Sequence, residues 1–298
     1  MKTNSYKYGF FICLISAILF SSKGVVIKLI FRQGDISSIG ILTLRMLISF
    51  PFYFLVASYM YNKEKAFPFH GKEWIQLIIL GLLGYYAASF FDFWGLEYVS
   101  VFIERIVIFS YPTIVLILSI IFLGKKAKPI QIIALVLTYF GTYLAFRSGT
   151  EKIDMINLMK GGALVFISAL SYAFYMVFGS KQIAKVGSIK FTCYALMVST
   201  GGVVIHYLLS GEHDISGHSG HLYLLAGFLA IFGTVIPTFL TAESIRIIGP
   251  GNAAIVSSLG PVSTMILGYF ILGDKITILE IAGTIFVIMG VLLIGKER

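Results

Sequence analysis

The chain has 298 residues, of which 58% are hydrophobic and 12% are charged, and its mean hydropathy is +0.91. A soluble domain averages roughly 25% charged residues, and no stretch of this chain is polar enough to form one, so the composition predicts a polytopic membrane protein. The net charge of +9 lies mostly in short segments between apolar runs. No basic patch alternates with exposed aromatic residues, which argues against a nucleic-acid partner.

Ten apolar runs follow one another along the chain, and each is long enough or nearly long enough to cross a bilayer as a helix. The first run follows Lys2 and Lys7 and resembles a signal peptide. It is longer than a signal sequence requires and no A-x-A site follows it, so we predict a membrane helix. The predicted spans are 8–30, 39–60, 74–96, 100–123, 129–146, 160–179, 190–209, 222–242, 251–272 and 277–295.

An internal repeat relates the two halves of the chain. Near the start of each half, Ile15-Ser16-Ala17 matches Ile167-Ser168-Ala169. A repeat of about half the chain in a membrane protein indicates a transporter built from two homologous halves, here residues 1–149 and 150–298. With a shift of 149 residues and no gap, Pro112 aligns with Pro261, Gly124 with Gly273, Lys126 with Lys275, and Gly141 with Gly290.

Lysine and arginine residues predict the orientation. With the N-terminus inside, fourteen of them fall in inside segments and five in outside segments. This bias follows the positive-inside rule and predicts a multi-pass protein of the cytoplasmic membrane with both termini cytoplasmic. Because five spans are an odd number, the second half is inserted upside down relative to the first. The predicted fold class is therefore an all-α membrane protein with ten transmembrane helices in two inverted five-helix repeats.

The fourth and fifth spans of each half carry related motifs. Phe109-Ser110-Tyr111-Pro112 leads to Leu123-Gly124-Lys125-Lys126, and Leu259-Gly260-Pro261 leads to Leu272-Gly273-Asp274-Lys275. With the late glycines Gly141 and Gly290 and with Arg45 in Leu44-Arg45-Met46, the chain resembles the ten-helix carriers of the EamA family in the drug/metabolite transporter superfamily. The family often has Gly-Glu where this chain has Gly124-Lys125 and Gly273-Asp274. The resemblance implies an inner-membrane exporter of metabolites or amphipathic compounds, with a cavity lined by helices 1, 3, 4, 6, 8 and 9.

The ionisable residues inside the predicted spans lie mainly in the first half, and a charge there needs a partner or a water-filled cavity. Lys23 could anchor an anionic group or form an ion pair with Asp92 or Glu104, and the sequence leaves both open. Arg45 is predicted to lie outside the cavity-lining set and to form a structural pair with Asp92 or Glu104. Asp92, beside Trp94, is predicted near the outer face, where water reaches it, as a gate or a binding group.

Glu104 and Arg105 are adjacent, so they point about 100° apart on a helix and cannot both face the same partner. We expect one to face the cavity and the other a neighbouring helix. A buried carboxylate would suit a proton-coupled step, and a structural salt bridge is the alternative. Tyr111 precedes Pro112 on the Glu104 face, and Pro112, Pro237 and Pro261 can kink their helices. The predicted substrate-binding residues are Lys23, Asp92, Trp94, Glu104, Arg105, Tyr111 and Tyr175, the last because it aligns with Lys23 at a shift of 152 and would face the same cavity.

No cofactor or metal is predicted. Cys13 and Cys193 lie in apolar runs without metal-binding spacing and are expected to be small core residues. The outer loop 210–221 contains Glu212, His213, Asp214, His218 and His221, but it is rich in glycine and lacks fixed spacing, so a solvated loop is favoured over a metal site. The chain has no GxxxxGK[ST] loop, so it is not expected to hydrolyse ATP.

These observations predict a secondary transporter that moves small metabolites, such as amino acids or amphipathic compounds, by alternating access. The substrate gradient or protons would drive it, and its partners would be a small molecule and the lipid bilayer, as a monomer or homodimer. Four membrane-buried bases against three acids hint at an anionic or zwitterionic substrate. A polytopic membrane enzyme, which needs a reactive cluster near one membrane face, and a passive channel, which would not saturate, remain the alternatives.

Overall fold

The computed structural model describes residues 2–33, 36–64, 69–147, 155–212, 214–272 and 277–295. Within these ranges the chain is helical throughout and contains no strand. Some residues used in the sequence predictions lie outside the described ranges: Lys65, Lys152, His213, Gly273, Asp274, Lys275, Lys296 and Arg298.

The described ranges contain thirteen α-helices, some of which are joined directly by π-helical or 3-10 segments and others by short turns. In the first half they are α1 (Lys2–Phe31), α2 (Ser38–Glu64), α3 (Lys72–Gly81), a π-helical segment (Leu82–Ala87), α4 (Ala88–Tyr98), α5 (Val101–Ile108), α6 (Tyr111–Leu123) and α7 (Pro129–Arg147). In the second half they are α8 (Met155–Val186), α9 (Ser188–Ser210), α10 (Gly220–Ala230), a π-helical segment (Ile231–Val235), α11 (Ile236–Val256), a short 3-10 turn (Ser257–Leu259), α12 (Gly260–Leu267), a π-helical segment (Gly268–Leu272) and α13 (Ile278–Gly295).

Eight of the described helical stretches are long and apolar enough to cross a membrane, which makes this an all-helical, multi-pass membrane protein. Two further apolar helices, at Pro129–Leu144 and Ile281–Gly295, are shorter. The exposed side chains of these stretches are largely aliphatic or aromatic, as expected of surfaces that face lipid acyl chains. The predicted turn between the third and fourth spans is tight, because α4 ends at Tyr98 and Ser100 already caps α5 by accepting from the Ile103 amide at 3.3 Å.

Helix geometry changes next to three of the prolines, whereas Pro51 lies inside the continuous helix α2. Pro112 lies in the first turn of α6, directly after the break that ends α5 at Ile108. Pro237 lies in the first turn of α11, after a π-helical segment. Pro250 follows Gly249, whose φ of 82° and ψ of 162° interrupt the helix. Proline lacks an amide donor, so it is tolerated in a first helical turn or directly after a break, where that amide would have no helical acceptor.

Contacts between the halves occur in pairs that the sequence repeat relates. The π-helical segments begin at Leu82 and Ile231, which are 149 residues apart. Ser16 Oγ in α1 donates to the carbonyl oxygen of Pro237 at 2.7 Å, and Ser168 Oγ in α8 donates to that of Ala88 at 2.6 Å. The two serines belong to the matched Ile-Ser-Ala motifs, and Ala88 aligns with Pro237 at the 149-residue shift. The first helix of each half therefore makes the same hydrogen bond to the third span of the other half.

A second reciprocal pair joins α7 to α13. A Cβ atom on Gly141 would collide with the carbonyl oxygen of Gly283 and lie 2.9 Å from Val287. A Cβ atom on Gly290 would lie 2.7 Å from both the carbonyl oxygen of Ala134 and Thr138 Cγ2. Glycine at 141 and 290 thus lets the two backbones approach closely, as small residues do between membrane helices. A shift of 149 residues converts each set of contacts into the other.

Candidate functional site

A cavity of about 110 Å³ lies where the spans from both halves meet. Its wall combines aromatic and aliphatic side chains with three cationic side chains and several hydroxyl groups. Helices α1, α2, α4, α5, α6, α8, α11 and α12 contribute, together with the π-helical segments Leu82–Ala87 and Ile231–Val235. The lining residues are Ala17, Phe20, Lys23, Arg45, Gly84, Tyr85, Ala88, Ser89, Arg105, Ile108, Phe109, Tyr111, Ser168, Tyr172, Thr234, Thr238, Ser257 and Gly260.

Lys23 forms a buried ion pair with Asp92. Its Nζ atom lies 2.5 Å from Asp92 Oδ2, and the two side chains are 13% and 0% exposed. The ammonium group also lies 5.7 Å from the centroid of the Phe93 ring. Since Lys23 lines the cavity and Asp92 lies behind it, the pair links α1 to α4 at the cavity wall. The prediction that water reaches Asp92 near the outer face is wrong, because its side chain has no exposed surface.

Arg45 lines the cavity from α2, so the prediction that it lies outside the cavity-lining set is wrong. Its guanidinium lies 5.0 Å from the centroid of the Phe93 ring, and Nη2 lies 3.9 Å from Met46 Sδ. Arg45 is 3% exposed and its Nε atom has no hydrogen-bond partner. No carboxylate among the described residues forms an ion pair with Arg45, contrary to the prediction of a structural pair with Asp92 or Glu104.

Glu104 and Arg105 contact each other in α5, with Arg105 Nε 3.1 Å from Glu104 Oε2. Both groups also approach Gly24 of α1, where a Cβ atom would lie 3.4 Å from Arg105 Nη2 and 3.5 Å from Glu104 Oε2. The prediction that they cannot face the same partner is therefore wrong, because long side chains can bend towards each other across the 100° between their Cα–Cβ bonds. Arg105 lines the cavity and Glu104 is fully buried behind it.

The carboxyl groups of Asp92 and Glu104 both lie beside α1, where Asp92 pairs with Lys23 and Glu104 Oε2 lies 3.5 Å from the position of a Cβ atom on Gly24. Asp92 Oδ1 and both Glu104 oxygens are buried and have no hydrogen-bond donor. The Nε and Nη2 atoms of Arg105 are likewise without an acceptor, since the ion pair with Glu104 lacks hydrogen-bond geometry. Buried polar atoms are nearly always hydrogen-bonded, so this cluster of four charges is incompletely satisfied as it stands.

The predicted aromatic residues occupy different environments. Tyr111 lines the cavity, and its hydroxyl donates to the carbonyl oxygen of Ala254 at 3.3 Å. Tyr175 is not among the lining residues, contrary to the expectation that it faces the cavity. Its hydroxyl lies 2.5 Å from that of Tyr85, which does line it. Trp94 is half-buried beside Phe90, with ring centroids 5.6 Å apart, and does not line the cavity.

The hydroxyl groups of the cavity wall were not among the predicted site residues. Ser168 was noted only as part of the repeat, and its hydroxyl already donates to Ala88. Thr238 Oγ1 donates within its own helix, to the carbonyl of Thr234 at 2.7 Å. Serine and threonine are common in membrane helices, so only the packing of α8 and α11 identifies these two as cavity residues. The described residues contain no group of three or more His, Cys, Asp or Glu side chains that could hold a metal ion.

Two carboxylates accept hydrogen bonds near the N-terminal end of α2, and one of them, Asp214, belongs to the segment between α9 and α10. Asp214 Oδ2 accepts from the Ser37 amide at 2.5 Å, and Glu97 Oε1 accepts from Ser38 Oγ at 2.5 Å. A Cβ atom on Gly40 would lie 2.5 Å from Asp214 Oδ1, so glycine leaves room for this contact. Anionic side chains are favourable at a helix N-terminus. Asp214, which follows α9, is thereby hydrogen-bonded to the first half of the chain.

Comparison with known proteins agrees with this architecture. The model of the EamA-like transporter family matches residues 7–147 and 159–296. An uncharacterized transporter of Bacillus subtilis, YcbK, is 25% identical over 289 residues, which is 95% of this chain and 92% of that protein. An uncharacterized inner membrane transporter of Salmonella typhimurium, YicL, is 26% identical, with 98% of this chain and 97% of that protein covered.

A solved crystal structure has the same fold. It superposes with a TM-score of 0.76 over 96% of this chain and 95% of its own, at 15% sequence identity. At this identity the likeness concerns the arrangement of the helices alone.

Proposed function

Because the chain belongs to the EamA-like transporter family, we propose that it is a secondary transporter that moves small metabolites across the cytoplasmic membrane by alternating access. The observation that carries this proposal is the cavity between the two halves, which contains buried charged groups. An intramembrane charge is costly unless it serves a substrate or ion pathway or a structural pair. Amino acids and amphipathic compounds are the substrate classes that the sequence suggests, and export is the direction that the family resemblance suggests.

The proposed architecture has ten transmembrane helices in two inverted repeats, residues 1–149 and 150–298. The reciprocal contacts of Ser16 with Pro237 and of Ser168 with Ala88 support it, as do those of Gly141 and Gly290. The separate matches of the family model to each half also support it. The shorter apolar helices α7 and α13 would be the fifth and tenth spans. The distribution of lysine and arginine supports cytoplasmic termini.

Protons are the proposed coupling ion. Asp92 and Glu104 place two buried carboxyl groups beside the adjacent residues Lys23 and Gly24, with oxygens that lack a hydrogen-bond donor. A proton between the two groups would supply that donor, as in other carboxyl pairs that share one proton. Asp92 and Glu104 form ion pairs with Lys23 and Arg105, which line the cavity. A substrate that contacts these two cations would therefore change the proton affinity of the carboxyl groups. This gives a physical route from substrate binding to proton release.

Counterflow in proteoliposomes tests the proposal. Purified protein is reconstituted with unlabelled pools of amino acids, organic acids or nucleosides, and uptake of the labelled compound is measured with and without a pH gradient. We expect saturable exchange of one pool and stimulation by the gradient. In Glu104→Gln the exchange should persist while the stimulation disappears, because the amide cannot release a proton. Glu243→Gln is the matched control, since Glu243 pairs with Arg246 away from the cavity wall.

Each outcome has a distinct meaning. Gradient stimulation that survives in Glu104→Gln would assign this residue to the scaffold and leave a facilitated carrier. Flux that never saturates would favour a passive channel. Accumulation of substrate inside inverted vesicles with an acidic lumen would support proton-coupled export. Uptake into right-side-out vesicles alone would contradict the proposed direction.

A further inference from the structure

The cavity contains an excess of positive charge. Three cationic side chains line it, Lys23, Arg45 and Arg105, and no aspartate or glutamate does so among the residues that the structure describes. Two carboxylates, Asp92 and Glu104, lie directly behind the wall and form ion pairs with Lys23 and Arg105. One positive charge is therefore uncompensated when both carboxylates are ionised, and two are uncompensated when a proton lies between them. Such an excess is unfavourable inside a membrane without an anion.

Among the residues that line the cavity, the two arginines have buried nitrogen donors without a hydrogen-bond partner. Arg45 is 3% exposed and its Nε has no partner, while Arg105 is 9% exposed and its Nε and Nη2 have no hydrogen-bond partner. Both arginines are among the residues that line the same small cavity. The guanidinium fork matches a carboxylate with two parallel hydrogen bonds, which an alcohol or amine cannot provide. An anion between Arg45 and Arg105 would supply both the missing charge and the missing acceptors.

We propose that the ligand of this cavity is a compact organic monoanion, a monocarboxylate with an apolar body, held by Arg45 and Arg105. This deepens and rests on the proposed transport function, and it narrows the substrate away from zwitterionic amino acids. The apolar body would lie against Phe20, Ile108 and Tyr172 on the same wall. The ammonium group of an amino acid would meet three cations there and no lining carboxylate.

Size and charge both favour one carboxylate. A cavity of about 150 Å³ holds a benzene molecule, and this one measures about 110 Å³, so a body of a few carbon atoms fits without rearrangement. A monoanion balances the single excess charge that remains when Asp92 and Glu104 are ionised. Inorganic phosphate at neutral pH, with up to two negative charges and no apolar body, fits less well.

The test uses four compounds with one carbon skeleton and the full-length protein in detergent. They are 3-methylbutanoate, its amide, the corresponding amine, and valine, which adds an ammonium group to the carboxylate; inorganic phosphate is a fifth probe. Binding is measured as the saturable rise in unfolding temperature, because a ligand that binds only the folded state stabilises it. We expect 3-methylbutanoate to stabilise the protein and the amide, amine, valine and phosphate to do so at least about tenfold more weakly.

Variants assign the effect to the two arginines. Arg45→Gln and Arg105→Gln should each weaken carboxylate binding about tenfold or more, the loss of a charge-assisted hydrogen bond. Arg45→Lys keeps the positive charge but lacks the two parallel donors of the guanidinium group, so we expect an intermediate affinity. This variant also tests the inference if Arg45→Gln does not fold. Arg246→Gln is the matched control, because Arg246 pairs with Glu243 away from the cavity and its loss should leave binding unchanged.

The outcomes separate this inference from the transport proposal. Equal stabilisation by the amide, amine, valine or phosphate, or no stabilisation by the carboxylate, would overturn the inference. Transport of another pool in proteoliposomes would then still support a carrier. Saturable binding of 3-methylbutanoate that depends on Arg45, without exchange of any pool, would support the inference and contradict transport.

Discussion

Individual side chains show how the protein tolerates charge inside a membrane. Lys23 and Asp92 are buried together at 2.5 Å, which offsets the cost of removing both from water. Glu104 and Arg105 form a second pair next to it, but with poorer hydrogen-bond geometry. The first pair therefore has the character of a structural link between α1 and α4, and the second contains the unsatisfied atoms expected of a group that changes partners.

Removing one member of the first pair should destabilise the protein strongly. In Asp92→Asn the Lys23 ammonium remains buried without its carboxylate, so we expect the free energy of unfolding to fall by about 3–5 kcal/mol. The double variant Lys23→Met/Asp92→Asn should recover most of this loss, since no unpaired charge remains. Unfolding of the purified protein in detergent micelles measures both values.

The control for this prediction is a pair at the molecular edge. Glu243→Gln breaks the ion pair with Arg246, whose side chain is 49% exposed, and should cost at most about 1 kcal/mol. A double variant no more stable than Asp92→Asn alone would show that the loss comes from the Asp92 site itself rather than from the stranded ammonium group.

The sequence predicted which charged residues lie in the membrane better than it predicted the residues that they contact. Hydropathy identified Lys23, Asp92, Glu104 and Arg105 as charges within the predicted spans, because charged residues in apolar runs are rare, but it wrongly left Asp92 within reach of water. It could not choose between Asp92 and Glu104 as the partner of Lys23, since that choice depends on how α1 packs against α4. The error over Arg45 has a similar cause. A side chain with several rotatable bonds reaches well beyond its own helix, so the face of α2 does not determine where the guanidinium lies.

Among the helices, the contact between α7 and α13 depends on close approach of two backbones. Gly141 lies against the carbonyl oxygen of Gly283, and Gly290 against that of Ala134. Backbone carbonyls cannot rotate away as a flexible side chain can, so a methyl group at either glycine must push the helices apart. The apolar parts of these helices, Pro129–Leu144 and Ile281–Gly295, are also shorter than the eight stretches that could cross a membrane.

Gly141→Ala and Gly290→Ala should therefore each destabilise the protein by about 1–3 kcal/mol, the usual cost of overpacking. Gly201→Ala is the matched control, because Gly201 is in the helix α9 and a Cβ atom there meets nothing within 4 Å. It should be neutral or slightly stabilising, since alanine favours the helix. Thermal unfolding in detergent compares the three variants. Similar values for all three would indicate that α7 and α13 can separate slightly without loss.

Helix positions were predictable to within a few residues, and the reasons for the exceptions are physical. The span predicted at 160–179 is part of α8, which runs from Met155 to Val186. Hydropathy detects only the apolar part of a helix, whereas the hydrogen-bonded backbone continues into the polar boundary. The π-helical segments that begin at Leu82 and Ile231 differ from the α-helix in which carbonyl group accepts each amide hydrogen bond, and composition does not predict that pattern.

Across the whole molecule, contacts that the sequence repeat relates occur together with an asymmetric set of charges. The hydrogen bonds of Ser16 and Ser168 are equivalent in the two halves. At the aligned positions, however, Lys23 corresponds to Tyr175 and Asp92 to Thr241. The sequence repeat predicted which of these contacts correspond, because the same packing constraints act on matching positions. It could not predict the cavity wall, which forms only when side chains from both halves meet, and Tyr175 accordingly lies behind Tyr85 instead of on the wall.

Alternating access requires the ends of the halves to separate and rejoin, and one such contact joins Ser37 to Asp214. The Asp214 carboxylate accepts from the Ser37 amide, and Gln33 Nε2 contacts His221 Nδ1 at 2.6 Å nearby. If this end opens during transport, a covalent link there should stop exchange. We expect the double variant Ser37→Cys/Asp214→Cys to lose counterflow on oxidation with copper phenanthroline and to regain it with reductant. Cys13 and Cys193 are buried and should not interfere.

The two single-cysteine variants control for the substitutions themselves, and both should exchange substrate whether oxidised or reduced. Asp214→Asn adds a milder perturbation, because the amide still accepts a hydrogen bond from the α2 N-terminus but lacks the charge that favours it. We expect it to weaken the closed contact and leave the carrier active. If the oxidised double-cysteine variant exchanges substrate at the wild-type rate, with its cross-link confirmed by mass spectrometry, this end stays closed through the cycle. Access would then have to change at the opposite end or between the helices, because a fixed contact here cannot form part of an alternating gate.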